Sequence, residues 1–586
     1  MPEDPIALVM AHLDERSRFL AASAVSPLWR RVALRSDIPL LDLTLDGFVF
    51  GPKFAPQFDV KNWSSRTEVE YVFNYKLMQK QVGEFFKKCP LKIQPRAVLG
   101  IKAANVEVAC LEALAAFMPR LRSITVVGLT EASSSRRFNN EALLPAGIEP
   151  WKYVMGLRYL TRIHLTDFDG SIIKLNSKVL LDFSLVRGSG SGSPYYLGDF
   201  AFLKDAINLE RLDSVYACTY GDFKKKKALS IPLNVFSNLK SLTVPVYVKD
   251  CELVFGCDLP HLESLEATFI NSFNGHSGPV DLLQSNPLFS LSKYPKLRRI
   301  SFSGHPIVLS KGLMGDHAFE EVHLLTAFPG NLAVVASQSP SRLLRLSIAL
   351  DPKIGESEIQ MLGKLTSLTG LDVRGLFPVD HLIKQLLKLK LLQRFALSTE
   401  MFDELFASTQ FSSNPFPDYQ TAASLVHALP RHCLRQLYLR DLPLDAKVLA
   451  ALVAFPSLEV LDVIIVSKQR FLGEWLLELS KLGSLEKLYL DQRQPNPPNE
   501  LLKTNAGAMY QITIDHLATF LAKASKVKSI TLGSGIVLGG GDQAQSTERF
   551  LRQVANAHLP EQFHVDIRVT VNTFYRNRLE IFTYDQ

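Results

Sequence analysis

The sequence predicts an α/β solenoid, a stack of strand–turn–helix–return units with a parallel sheet along one side. Three observations predict it. First, the pattern L-x-x-L-x-L recurs along most of the 586 residues. Second, apolar and polar residues alternate inside each copy. Third, segments between copies carry helical spacing. Fifteen clear copies start at Leu121, Leu160, Leu180, Leu209, Leu239, Leu262, Leu297, Phe319, Leu343, Leu368, Leu392, Leu434, Leu458, Leu485 and Val527, and Leu40 is a candidate for an earlier start. Most neighbouring starts lie 20 to 30 residues apart, with longer gaps after Leu121, Leu262, Leu392 and Leu485. Such recurrence marks a repeat array, which grows in one dimension where a single core would stop growing.

The alternation identifies the strands. The residue three positions after each start is apolar in every copy, from Ile124 through Leu346 and Phe395 to Ile530. Five positions after, only Ser214 is polar. Four positions after, only Ala396 lacks a polar group; the others include His164, Asp213, Glu266, His323, Asp372, Tyr438, Asp462 and Tyr489. A period of two is a strand with one buried and one wet face. Between strands, Val448, Leu449, Leu452 and Val453 share one helical face, as do Trp475, Leu476, Leu479 and Leu482. One such unit cannot bury its apolar stripe alone, but stacked units bury it against their neighbours.

This pattern resembles the leucine-rich-repeat family. The resemblance implies a curved solenoid with its parallel sheet on the concave face. The family usually places Asn or Cys eight residues after the repeat start. Here that position holds Leu129, Phe168, Tyr247, His305, Asp351 and Leu442 in six copies, and Cys218 and Asn271 lie one residue further on. The expectation is therefore an irregular array with varied turns and no regular asparagine ladder.

Residues 1–36 follow a different pattern. Ile6, Val9, Met10 and Leu13 share a helical face, with Asp4 placed to cap it and Pro5 at the first helical position. Leu20, Ala24 and Leu28 sit four apart, as do Val25 and Trp29. With Met1-Pro2 at the opening and Val25-Ser26-Pro27-Leu28-Trp29-Arg30 in its second half, the segment resembles the F-box. That resemblance implies a three-helix module in which Pro2, Ile6, Val9, Met10, Leu13, Val25 and Trp29 bind the adaptor subunit of an SCF-type cullin–RING ubiquitin ligase. The other reading is an amphipathic cap on the first repeat of an interaction scaffold with no ligase link. The expected organisation is then an F-box-like module at 1–36, a linker and helical segment with room for first repeats at 37–120, and the solenoid with a C-terminal cap at 121–586.

Composition narrows the function. An apolar fraction of 47% fits a folded chain. The net charge of +7 is spread over 65 basic and 58 acidic residues, with one short basic run at 224–227, which argues against nucleic acid as the main partner. No apolar run is long enough to span a membrane. Asp14, Glu15, Arg16 and Arg18 interrupt the N-terminal segment, which argues against a secretory signal. Cys89, Cys110, Cys218, Cys251, Cys257 and Cys433 lie far apart, so reduced thiols in cytoplasm or nucleus are expected. Cys251 and Cys257 have no companion pair for zinc. Gly533-Ser534-Gly535 and Gly539-Gly540-Gly541 lack the lysine of a phosphate loop. His317, Glu320, Glu321 and His323 lack the H-E-x-x-H spacing, and Glu321 and His323 fall on wet strand positions. The expectation is a chain with no catalytic residues, cofactor or metal.

A binding face remains. Tyrosine and arginine on the wet side of a sheet are the usual anchors of protein interfaces. Tyr438, Asp462 and Tyr489 fall in one column of three successive repeats, flanked by Gln436, Arg440, Lys487 and Asp491. These seven residues are the expected contacts for a protein substrate; alternatively, the tyrosines simply pack sideways on their neighbours. Loops at 133–150 and 407–420 are long enough to add contacts. The expected partners are the adaptor, through it a cullin, and a protein substrate of unknown identity.

Overall fold

The computed structural model describes residues 41–42, 98–104, 111, 115–127, 154, 156–166, 177–186, 203, 205–213, 233–247, 256–270, 280–281, 290–325, 328–338, 341–350, 355–375, 379–398, 419–466, 473–493, 514–524, 526–532, 563–571 and 577–585. The F-box-like segment, the loop at 133–150, the basic run at 224–227 and most of 407–420 lie outside them. The chain forms two compact units: Met1–His276 with Asn286–Leu297, and Ser277–Ser285 with Arg298–Gln586.

The first unit carries β1 (Leu41–Asp42), β2 (Gly100–Ala104), β3 (Ser123–Val127), β4 (Arg162–Thr166), β5 (Asp182–Val186), β6 (Arg211–Asp213), β7 (Ser241–Tyr247) and β8 (Ser264–Ile270). Each pairs with the next in parallel. From β2 to β8 the register lines up Ile101, Ile124, Ile163, Phe183, Leu212, Leu242 and Leu265. These are the third-position residues of successive repeats, and all are buried. β2 lies ahead of Leu121, within 37–120, and its repeat opens on Val98 where the next opens on Leu121.

The second unit carries β9 (Val280–Asp281), β10 (Arg299–Gly304), β11 (Ile307–Val308), β12 (Glu321–Leu324), β13 (Arg345–Leu350), β14 (Gly370–Gly375), β15 (Arg394–Ser398), β16 (Gln436–Leu442), β17 (Val460–Val466), β18 (Lys487–Arg493) and β19 (Ser529–Leu532). β9 pairs with β11. The rest form a parallel series whose spine runs Ile300, Val322, Leu346, Leu371, Phe395, Leu437, Leu461, Leu488 and Ile530. The parallel series ends at β19. There β21 (Asn577–Asp585) pairs antiparallel, and β20 (Phe563–Val571) pairs antiparallel with β21.

All fifteen repeat starts stand two residues before a strand, and all are buried. The connecting segments differ between the units. In the first unit the described connections include single turns of 3-10 helix at Ser177–Val179, Leu233–Val235 and Leu291–Lys293. In the second unit they are mostly α-helical: α1 (Lys311–Met314), α2 (Asn331–Gln338), α3 (Glu356–Ile359), α4 (Val379–Leu386), α5 (Tyr419–Ala428), α6 (Ala446–Leu452), α7 (Gly473–Leu479) and α8 (Ile514–Lys523). α6 and α7 cover the two helical faces expected from spacing, with Asp445 capping α6 through the Val448 N–H at 2.8 Å. Glu358 caps α2 from the next repeat, accepting from the Gly330 N–H at 2.8 Å and the Leu332 N–H at 3.1 Å.

Two backbone devices tie repeat to repeat. Ahead of many strands the chain approaches with apolar residues at intervals of three: Leu233, Phe236 and Leu239; Leu291, Tyr294 and Leu297; Leu452, Phe455 and Leu458; Leu479, Leu482 and Leu485. All are buried. Bonds from residue i to i−3 fix this spacing, for example Phe236 N–H to Leu233 O at 2.9 Å and Leu239 N–H to Phe236 O at 3.0 Å. That is 3-10 geometry, with three residues per turn. Then one carbonyl of each repeat accepts two N–H groups of the next. Arg122 O takes Thr161 and Arg162, Glu320 O takes Leu344 and Arg345, and Glu459 O takes Glu486 and Lys487. This carbonyl ladder satisfies the strand entries without a side-chain ladder. Asparagine bridges occur ahead of strands, where Asn208 donates to Lys178 O and Asn238 to Ile207 O, each at 3.2 Å, and at the start of α2, where buried Asn331 donates to Ile307 O and accepts from the Leu309 N–H, each at 2.8 Å.

Packing supplies the stability. Each fully buried apolar side chain contributes about 1.5–3 kcal/mol. Ordering the backbone opposes it by roughly 1–2 kcal/mol per residue. A lone repeat has too few such residues, so the stack folds only as neighbours cover one another.

Candidate interaction face

The first and third residues of each repeat strand face away from the apolar spine. Third-position residues such as Tyr438, Asp462 and Tyr489 are half-buried, because strands about 4.8 Å apart pack these side chains against each other, whereas Arg299, Arg345, Arg394 and Lys487 at the first position are exposed. In the second unit the register aligns Tyr438, Asp462 and Tyr489 in one row and Gln436, Val460 and Lys487 in the row beside it.

Five of the seven sequence-predicted residues fall into two contact groups on neighbouring strands. Gln436 accepts from the Tyr438 hydroxyl at 3.4 Å. Arg440 donates to Asp462 at 3.2 Å, and its guanidinium lies 5.5 Å from the Tyr489 ring centre. Lys487 is exposed and Asp491 half-buried, both on β18 beside Tyr489. One member was not anticipated. Arg394 on β15 lies 4.6 Å over the Tyr438 ring and donates to Gln436 at 3.2 Å. Each tyrosine is thus packed against an arginine within the face, a cation–π arrangement contributing about 0.5–1 kcal/mol at such exposure.

A second group lies on β12 to β14. The Arg374 guanidinium forks onto Asp372, with Nε 3.2 Å from both carboxylate oxygens and Nη2 2.6 Å from one. Glu321 lies 3.3 Å from Arg345 and 3.8 Å from Arg299. His323 Nδ1 shares a 2.8 Å hydrogen bond with the Ser347 hydroxyl, with Nε2 3.9 Å from Glu321. The sequence cluster of His317, Glu320, Glu321 and His323 divides between different partners: His317 contacts the Phe319 ring at 5.5 Å, and Glu320 pairs with Arg298 at 3.3 Å. Among the described residues no group of His, Cys, Asp or Glu could hold a metal ion.

Burial pushes the His323 imidazole below its ordinary value; Glu321 and Asp372 oppose the shift, while Arg374 and Arg345 add to it. A depressed histidine leaves the unfolded chain binding more protons just below its ordinary pKa. Stability is therefore level above about pH 6.5 and is lost as pH falls from there toward the folded value. The melting temperature is expected to drop on acidification below that point, and to drop less in a His323→Gln variant. Equal drops in both proteins would remove His323 from the effect.

The open face of the first unit is built around carboxylates. Asp182 lies 3.0 Å from His164 and 3.9 Å from Arg211, and Asp213 accepts from the Ser184 hydroxyl at 3.1 Å. Burial, with the Asp213 charge, pushes the Glu266 carboxyl up. Cys257 is buried, which pushes its thiol up, and so is Tyr294. The candidate adaptor-binding residues Pro2, Ile6, Val9, Met10, Leu13, Val25 and Trp29 lie outside the described residues. Among the described residues no helix is long and apolar enough to cross a membrane.

Parallel strands in fixed register, one per repeat, with a leucine spine and helical or 3-10 returns, make each unit a leucine-rich-repeat solenoid. No protein-family model and no curated protein matches the sequence. Among solved structures, the crystal structure of a TLR13–ssRNA13 complex is similar over 75% of this chain at 16% identity, with a TM-score of 0.36. The match spans 56% of the length of that chain. The fold assignment rests on the strand register, not on this likeness.

Proposed function

We propose that the chain is the substrate-recognition subunit of an SCF-type cullin–RING ubiquitin ligase. In this reading the repeats hold a target protein, the F-box-like segment holds the adaptor, and the chain carries out no bond chemistry itself. The observation behind the recognition role is the open face of β15 to β18, where exposed Arg394 and half-buried Tyr438, Arg440, Asp462 and Tyr489 line a polar and aromatic surface. Such residues dominate protein interfaces because they combine large contact area with polar tips. The ligase role is supported by the F-box resemblance of residues 1–36.

A pull-down of purified chain with the ligase adaptor tests it, beside a Pro2→Ala/Leu13→Ala/Trp29→Ala variant whose circular dichroism matches the parent. Binding lost in the variant is the expected result. No binding by the intact chain would overturn the ligase role and leave a capped interaction scaffold. The recognition role has its own test. Tyr438→Ala with Tyr489→Ala is expected to remove cross-linking of the chain to its protein partner, with the fold intact. Unchanged cross-linking would overturn this face as the contact.

A further inference from the structure

We propose that the open face of the second unit docks an acidic, extended segment of its partner, with Arg345, Arg394 and Lys487 as the cations that meet the carboxylates. This rests on the recognition reading above and adds the chemistry of what is recognised.

The argument comes from charge along one row. The first strand position of successive repeats reads Arg299, Glu321, Arg345, Gly370, Arg394, Gln436, Val460, Lys487 and Ser529. It holds four cations and a single carboxylate. Glu321 is shared between Arg299 and Arg345, whose side chains are 57% and 62% exposed. One carboxylate between two guanidinium groups leaves a net positive charge there. Arg394 is exposed, and its partners, the Gln436 amide oxygen and the Tyr438 ring, carry no formal charge. Among the described residues no carboxylate pairs with Arg394 or Lys487. The adjacent exposed row just before the strands differs: there Arg298 pairs with Glu320, Arg435 with Glu459 and Lys528 with Glu486. A balanced row needs no partner, whereas the unbalanced row presents charge to one.

Spacing favours a peptide lying across the strands. Arg345 and Arg394 are two strands apart, about 10 Å, and Arg394 and Lys487 three strands apart, about 14 Å. An extended chain advances about 3.3–3.6 Å per residue. Acidic side chains about three and four residues apart would therefore reach successive cations. Gly370 and Val460 lie between these cations and keep the row low where the peptide backbone would pass.

The probe is a fluorescent decaglutamate peptide, titrated with the full chain and followed by anisotropy. Saturable binding is expected, weakening as salt rises. Arg345→Gln/Arg394→Gln/Lys487→Gln is expected to weaken it by about tenfold or more, as three modest ion contacts imply. Lys364→Gln/Lys390→Gln/Lys526→Gln makes the same charge change at exposed positions outside the strands and is expected to leave binding unchanged. Equal weakening in both variants would reduce the effect to net charge and overturn the proposal. So would absence of saturable binding, or tighter binding of a ten-nucleotide thymidine strand than of the peptide. If the peptide fails while the tyrosine pair still governs cross-linking to a partner, the acidic segment falls and the recognition reading stands.

Discussion

Replacing Gly375 by alanine is expected to destabilise the second unit by on the order of 3 kcal/mol. Gly375 closes β14 with φ at +107°, a left-handed backbone that costs a side-chain-bearing residue about 1–2 kcal/mol. A Cβ there would also stand 2.2 Å from the Leu350 carbonyl oxygen. That atom is backbone of the neighbouring strand, so no rotamer change relieves the clash. The strands must part where Leu350 and Gly375 pair. Urea unfolding measures the cost, and amide exchange across β13 and β14 locates it. Two other glycines calibrate the effect. Gly330 has φ at +95° but nothing within 4 Å of a Cβ, so its alanine variant should lose only about 1 kcal/mol. Gly483 has open space and no left-handed backbone, so alanine should be near neutral there. A Gly375→Ala variant no less stable than Gly330→Ala would refute the close approach of the two strands.

Removing Asp372 is expected to cost about 3 kcal/mol, although it is only one polar residue on an open face. Its partner explains the size. The Arg374 side chain is 17% exposed and Asp372 15%, so the forked pair is largely out of water. In Asp372→Ala the guanidinium keeps its charge and its burial but loses the carboxylate that balanced it. Thermal melts would show the loss. The paired variant Asp372→Leu with Arg374→Met should recover most of it, because two apolar side chains of similar volume need no balancing. A loss in Asp372→Ala below about 0.5 kcal/mol would mean that the pair behaves as a surface ion pair. The same substitution removes a charge that favours protonated His323, so the imidazole should titrate lower still.

Much of this architecture can be read from residue order. Leucine at the start, an apolar residue three positions on and another at five place both the strand and its buried side, because a strand side chain has only two directions to point. The approach ahead of the strands is equally visible in Leu233, Phe236 and Leu239, yet the six-residue pattern begins after it and overlooks it. β2 escaped because Val98 and Ala103 stand where leucine is the signal, although the strand keeps the register of the next repeat, with Ile101 opposite Ile124. The change from 3-10 returns in the first unit to helices in the second is only partly visible, since both bury apolar residues at similar intervals.

The binding face shows where residue order stops being enough. Tyr438, Asp462 and Tyr489 share a column by counting from each repeat start, and the register places them side by side. Counting also puts Arg394 beside Gln436, both two residues after their repeat starts, but not over the Tyr438 ring, because that depends on which way the long side chain turns. Nor could Arg440 be assigned to both Asp462 and the Tyr489 ring. Sequence alone determined which residues enter the spine, which face the open side and where each strand begins, because those follow from a period of two and an apolar start. Only the tertiary structure decided which open-face charges cancel, which arginine covers which ring and which cations stay unmatched. Those outcomes depend on side chains meeting across strands about 4.8 Å apart, in repeats whose spacing along the chain varies.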